Sequence, residues 1–179
     1  MKKIINLLIV IATFGLITSC GSYDTKDFAD NKPKLDIREY LKGDVVAHGL
    51  IFDWSGKPSR HFTASIKGEW NGNNGTLTEH FTFSDGEKQE RIWQIKFSDE
   101  NNFTATAGDV VGVGVGSQHG NAANMSYVLR HKDTDGSEID LKVDDWLFLT
   151  NDDVLLNRSK LYKFGIHVGE VFIAFTKQK

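Results

Sequence analysis

From Arg60 to Trp70 the chain alternates with a period of two. Phe62, Ala64, Ile66, Gly68 and Trp70 fall on one face, and His61, Thr63, Ser65, Lys67 and Glu69 on the other. Strict alternation of this kind predicts an antiparallel strand with one face buried. The same pattern recurs over Asp44–Trp54, Leu77–Phe83, Trp93–Phe97, Phe103–Ala107, Ala122–His131, Ile139–Val143, Trp146–Leu149, Val154–Tyr162 and His167–Thr176. Turn clusters such as Ser55-Gly56, Asn71-Gly72-Asn73-Asn74-Gly75, Ser84-Asp85-Gly86 and Asp135-Gly136 separate the runs. Leu35–Leu41 departs from the alternation and predicts a short helix plugging one end of the fold. The expected fold is mainly β: a single antiparallel up-and-down barrel of about eight to ten strands with a short N-terminal helix. A β-sandwich is the alternative. Barrels of this kind remove exposed strand edges and often enclose a ligand cavity.

Polar residues on apolar faces carry the chemistry. If Ser84-Asp85-Gly86 is a three-residue hairpin loop with Gly86 left-handed, Phe83 faces Glu87, Glu79 faces Arg91 and Leu77 faces Trp93. A two-residue loop would split Phe81 and Trp93 between faces. The register therefore predicts a Glu79–Arg91 pair inside the barrel, flanked by Leu77, Phe81 and Trp93. Two readings stay open. Arg91 could hold an acidic head group in an apolar cavity, or the pair could be a self-satisfied ion pair that fixes register. Trp54, Trp70, Trp93 and Trp146 are expected as core residues first and as ligand-stacking residues second.

The glycine-rich run Gly108–Gly116, extended through Ser117-Gln118-His119-Gly120-Asn121, reads as a flexible rim or mouth loop. It lacks the Gly-Lys-Ser/Thr of a phosphate loop. Six histidines show no metal-ligand spacing, no twelve-residue calcium loop is present, and no nucleophile motif occurs. No cofactor and no metal are expected. Asp144-Asp145 and Asp152-Asp153 read as solvated turn acids.

The N-terminus adds an address. Met1-Lys2-Lys3 is a basic start, Ile4–Leu16 is almost wholly apolar, and Ile17-Thr18-Ser19 leads into the chain's one cysteine, Cys20. The apolar run falls short of the roughly 20 residues of a membrane-spanning helix. The layout is that of a lipoprotein signal peptide, residues 1–19, with Cys20 as the lipidated residue. Acyl chains on Cys20 would anchor the protein at about 0.8 kcal/mol per buried CH2. Gly21 after the cysteine, in place of aspartate, points to the outer membrane facing the periplasm. Residues 20–34 read as the lipidated cysteine and a flexible tether reaching roughly 50 Å when extended, and residues 35–179 as the barrel domain.

Removing residues 1–19 leaves 19 basic against 24 acidic residues, a net charge of −5. That balance is unsuited to nucleic acid. With Cys20 lipidated, no thiol is left for a disulfide or for catalysis.

Gly75–Phe81, Asp85-Gly86 with Arg91-Ile92-Trp93, Ala107–Gly112, Gly120-Asn121-Ala122, Asp145-Trp146, Asn157-Arg158 and Lys163-Phe164-Gly165 together resemble a proteobacterial lipoprotein family of unknown function. The family has a lipocalin-like barrel and is often encoded near cyclopropane-fatty-acid synthase. The resemblance runs from about Leu35 to Phe175 and implies a link to membrane lipid. It carries no established catalytic residues. Glu79, Arg91, Asp109, Asn121, Trp146, Asn157, Arg158 and Lys163 match its motif positions.

The leading expectation is a membrane-anchored binder of a fatty acid, phospholipid or other small amphiphile. Arg91 would hold the head group, with Glu79 beside it and Arg158 or Lys163 as helpers. Trp93, Trp70, Phe81 and Tyr127 would line the chain. The alternatives are a lipid-modifying enzyme using Glu79 or Asp109 as a general base and a structural envelope protein with a filled core.

Overall fold

The computed structural model describes residues 23–132 and 136–178. Cys20 and the signal segment lie outside the described residues, as does Asp135 of the expected Asp135-Gly136 turn. Ten strands form one closed antiparallel barrel: β1 (Gly43–Asp53), β2 (Pro58–Asn71), β3 (Asn74–Phe83), β4 (Lys88–Phe97), β5 (Asn102–Thr106), β6 (Gly114–His119), β7 (Ala122–Lys132), β8 (Glu138–Leu149), β9 (Val154–Lys163) and β10 (Ile166–Lys177). Each strand pairs with its neighbours in sequence, and β1 closes the ring on β10 from Val45↔Lys177 to Asp53↔Gly169. The expected up-and-down barrel is thus the observed fold.

Alternation decides which side chains point inward. On β2 the buried Phe62, Ala64 and Ile66 alternate with exposed His61, Thr63 and Ser65. β4 repeats this with Trp93, Ile95 and Phe97. Burying each large apolar side chain contributes about 1.5–3 kcal/mol, so ten such strands supply the core without a disulfide.

Two boundaries differ from the sequence expectation. The runs Ile139–Val143 and Trp146–Leu149 are one continuous strand, β8. The glycine-rich run is only partly a loop, because Gly114–His119 is strand β6. The Phe103 ring lies over Gly116, where a Cβ would come within 2.3 Å of it. Glycine at that position makes room for an aromatic ring on the neighbouring strand, which is a structural role that composition alone resembles flexibility.

A short helix, α1 (Ile37–Tyr40), plugs one end, as expected. Asp36 caps it by accepting the Arg38 N–H, and the Ile37 N–H donates to Gln118 Oε1 at 3.0 Å. The Tyr40 hydroxyl lies 2.9 Å from the Asp153 carbonyl and 3.0 Å from that of Phe175. It also accepts the Leu155 N–H at 3.1 Å. Leu35, Ile37, Tyr40 and Leu41 are all buried.

The segment expected as a tether is docked on the barrel over its described part. Thr25–Phe28 forms a 3-10 turn capped by Asp24, and Thr25 is buried with its hydroxyl 2.8 Å from Ser117 Oγ and 2.9 Å from His119 Nδ1. Tyr23 and Phe28 pack on the outward-facing Trp146, and Phe28 also meets Phe148. These aromatic contacts outweigh the polar composition that suggested a free linker. Trp54, expected in the core, is 76% exposed at the β1–β2 turn.

The plug is held by a close backbone approach at Gly68, where a Cβ would come within 1.5 Å of the Leu41 carbonyl oxygen. Gly68→Ala should therefore displace α1 and lower stability by about 1–3 kcal/mol in urea unfolding. Gly108→Ala, which meets nothing within 4 Å, should stay within about 0.5 kcal/mol of the parent.

Candidate functional site

The barrel encloses a cavity of about 750 Å³. Ile37 of α1 and Leu41 just after it floor it, and charged residues including Arg60, Asp85, Glu87, Arg130 and Lys132 stand at the opposite mouth. Its walls are mostly aliphatic and aromatic. Partway down, a group of polar side chains converges: Glu79, Arg91, Asp109, Tyr127, Asp145, Asn157 and Ser159.

The β3–β4 hairpin has the expected three-residue loop. Gly86 adopts φ +88°, and the Phe83 N–H donates to the Glu87 carbonyl at 2.9 Å. Glu79 faces Arg91 and Leu77 faces Trp93. The expected Glu79–Arg91 ion pair is nevertheless not the one that forms. The Arg91 guanidinium grips Asp109, with Nε 3.1 and 2.9 Å from the two carboxylate oxygens and Nη2 2.7 Å from Oδ2. Asp109 sits in the β5–β6 connection, where the β4–β5 register, carried three residues past Gln94↔Thr106, sets it beside Arg91. A fork on both carboxylate oxygens is stronger and more directional than a single contact, so Asp109 takes the guanidinium that the hairpin register offered to Glu79.

Glu79 is left buried, and among the described residues no Arg, Lys or His nitrogen forms an ion pair with it. Burial raises its pKa to about 7, against the attraction of Arg91 and a hydrogen bond from the Trp93 side chain. Burial also raises Asp145, opposed by hydrogen bonds from Ser159 and Asn157. Tyr127 is pushed well above the usual phenol range by burial and by the nearby Asp145 charge. Burial works against the Arg91 charge, but Glu79 and Asp109 outweigh it and raise the Arg91 pKa.

On the facing wall Asp145 accepts from Ser159 Oγ at 2.7 Å and from Asn157 Nδ2, which also donates to the Trp146 carbonyl at 3.0 Å. Asp145 is therefore no solvated turn acid. Val143, Asp145 and Leu147 continue the inward face of β8, and Asn157 and Ser159 interrupt the inward face of β9 between Leu155 and Leu161. The signal was available as polar residues on apolar faces. It was hidden by splitting β8 into two runs, which lost the phase of Asp145.

Of the residues expected around a ligand, Glu79, Arg91, Trp93, Phe81 and Tyr127 line the cavity, as does Asp109. Three do not. Trp70 lies against Gly75 and Phe97, with its indole N–H 3.4 Å from the Leu41 carbonyl. Arg158 points outside and pairs with Glu170 at 2.8 Å. Lys163 lies beside the exposed Phe164 at the β9–β10 turn. The alternation explains the outward pair: Arg158 falls between the inward Asn157 and Ser159. Among the described residues no group of three His, Cys, Asp or Glu side chains is arranged to hold a metal.

The chain belongs to the DUF3833 family, described as proteins of unknown function, whose model matches residues 14–177. No functionally curated protein matches it. Among solved structures it is similar to the S-type phycobiliprotein lyase CPES from Guillardia theta, with a TM-score of 0.60 and 8% identity over 88% of this chain and 99% of that one. It is also similar to Rv2717c from M. tuberculosis, with a TM-score of 0.58 and 14% identity over 84% and 100% of the two chains. A DUF3598 family protein of unknown function from Nostoc punctiforme gives a TM-score of 0.50 and 12% identity, over 83% of this chain and 51% of that one. At these identities the likeness is one of fold.

Glu79 makes stability depend on pH. Its folded pKa lies above the 4.5 of a free glutamate, so the folded state holds the proton more tightly. Its contribution is complete below about pH 4.5 and is lost as pH rises to about 7. Asp145 adds a loss of the same sign. Glu79→Gln should flatten this fall and be more stable than the parent at pH 8, by up to about 3 kcal/mol, with little difference at pH 4. Urea unfolding at the two pH values measures both; parallel losses in parent and variant would remove Glu79 as the source.

Proposed function

We propose that this DUF3833 member is a lipid-anchored envelope protein that binds a small amphiphile in its barrel, with an acyl or similar apolar chain against the walls. The observation that carries the reading is the 750 Å³ cavity, a volume within the roughly 300–1,000 Å³ of small-molecule sites. Its apolar walls, closed floor and single polar group are the complement of a molecule with one long apolar part and one polar part. A core filled by its own side chains would leave no such space, which counts against a purely structural role. The barrel architecture shared with a phycobiliprotein lyase is compatible with small-ligand handling.

Anchoring rests on Cys20 and the segment before it, with the outer membrane facing the periplasm as the proposed location. Because Tyr23 already touches the barrel wall, an anchored Cys20 would be about 10 Å or less from it along the chain. The barrel would then work close against the bilayer.

A second reading, acid–base chemistry on a bound lipid, is favoured by Glu79. A cavity carboxyl with a pKa of about 7 is poised to exchange a proton near neutral pH. Asp109 is the less available of the two expected carboxyls, since both its oxygens are engaged by Arg91.

Native mass spectrometry of the protein purified from its membrane should show retained lipid released on denaturation. Leu161→Trp, which fills cavity space, should reduce binding of a fluorescent long-chain probe at least tenfold. Arg158→Ala and Lys163→Ala, outside the cavity, should leave it unchanged. A protein that carries no lipid and binds no such probe would rule the reading out.

A further inference from the structure

The polar group in the cavity is already balanced against anions. Three carboxyl groups, Glu79, Asp109 and Asp145, surround one guanidinium, Arg91. That guanidinium is held on both oxygens of Asp109. The other arginines on the cavity wall stand at the mouth and are also engaged: Arg60 by Asp85 at 2.6 Å and Glu87 at 2.8 Å, Arg130 by Asp140 at 2.8 Å. His131 and Lys132 are exposed at the same rim. A carboxylate or phosphate brought to the depth of Glu79 would share Arg91 with Asp109, which holds its Nε and Nη2, and would sit beside two further acids. The half-buried Arg91–Asp109 pair carries no net charge to offset a further anion, and like charges brought together repel.

The unspent capacity of the site is for accepting hydrogen bonds. Glu79 is 9% exposed and faces the cavity without an ion-pair partner among the described residues. Asp145 spends one oxygen, Oδ1, on both Asn157 and Ser159. Carboxylate oxygens each offer two lone pairs, so the two acids can receive donors from a bound molecule. Resting on the amphiphile-binding reading above, we propose that the ligand's polar end is a hydrogen-bond donor without negative charge, an alcohol or ammonium group, held by Glu79 and Asp145. Free fatty acids and other anionic amphiphiles are selected against at this depth.

The full chain, purified in detergent and exchanged to a low-detergent buffer at pH 8, can be challenged with dodecanol, dodecylamine and dodecanoate in displacement of a neutral fluorescent probe. The alcohol and the amine should displace it at least tenfold more effectively than the carboxylate, although all three share one chain. Glu79→Gln should weaken dodecylamine at least tenfold and dodecanol much less. Asp109→Asn, which frees Arg91, should strengthen dodecanoate. Dodecanoate binding as tightly as the other two in the parent protein would overturn the head-group assignment while leaving the amphiphile reading intact. Failure of the neutral probe and of all three chains to bind would overturn both.

Discussion

Closure of β1 onto β10 is the constraint on which the remaining structure depends. Once that seam pairs from Val45 to Asp53 with Lys177 to Gly169, no strand has a free edge, and every strand must turn alternate residues inward. Ten strands enclose a wider interior than eight, the number at which side chains just fill a barrel or leave room for one small ligand. The cavity is therefore a consequence of strand number as much as of residue choice. α1 completes the enclosure at one end. Its Tyr40 hydroxyl meets backbone groups of β9, β10 and the β8–β9 turn, so the plug also braces the strands beside the seam.

Inside this enclosure the Arg91–Asp109 fork sets the electrostatics. It balances the Arg91 charge inside the lumen and adds a side-chain tie to the β5–β6 connection, which backbone bonds already hold to β7. Glu79 and Asp145 are then the groups with capacity left for something else. Their raised pKa values have a common origin in burial, and both remain open to a molecule in the lumen. The separation of a satisfied ion pair from acids with accepting capacity left gives the site a chemical preference that a count of its charges would miss.

Much of the architecture was legible in the chain. Alternation located nine of the ten strands, at the cost of splitting β8, because one wet face and one dry face impose a period of two on each. The β3–β4 register followed from a single turn, since a hairpin loop fixes pairing locally. Glu79, Arg91, Phe81, Trp93 and Tyr127 were visible as cavity residues on the same grounds. β6 was hidden because Gly116 makes room for the Phe103 ring on the neighbouring strand, a requirement invisible until those strands are adjacent. The docked stretch from Tyr23 to Phe28 was hidden for the same reason: its partners Trp146 and Phe148 lie more than a hundred residues away.

The sequence by itself determined the strands, the inward face of most of them and the hairpin that sets Glu79 opposite Arg91, all of which depend on neighbours close along the chain. It also holds the whole case for Cys20 as an anchor, which lies outside the described residues. Only the tertiary structure decided that Arg91 belongs to Asp109, that Tyr23 and Phe28 dock on Trp146, and that Asp145, Asn157 and Ser159 complete the polar group. Those outcomes depend on which strands and connections lie beside or face one another. That arrangement is set by the closure of all ten strands together, and no local period encodes it.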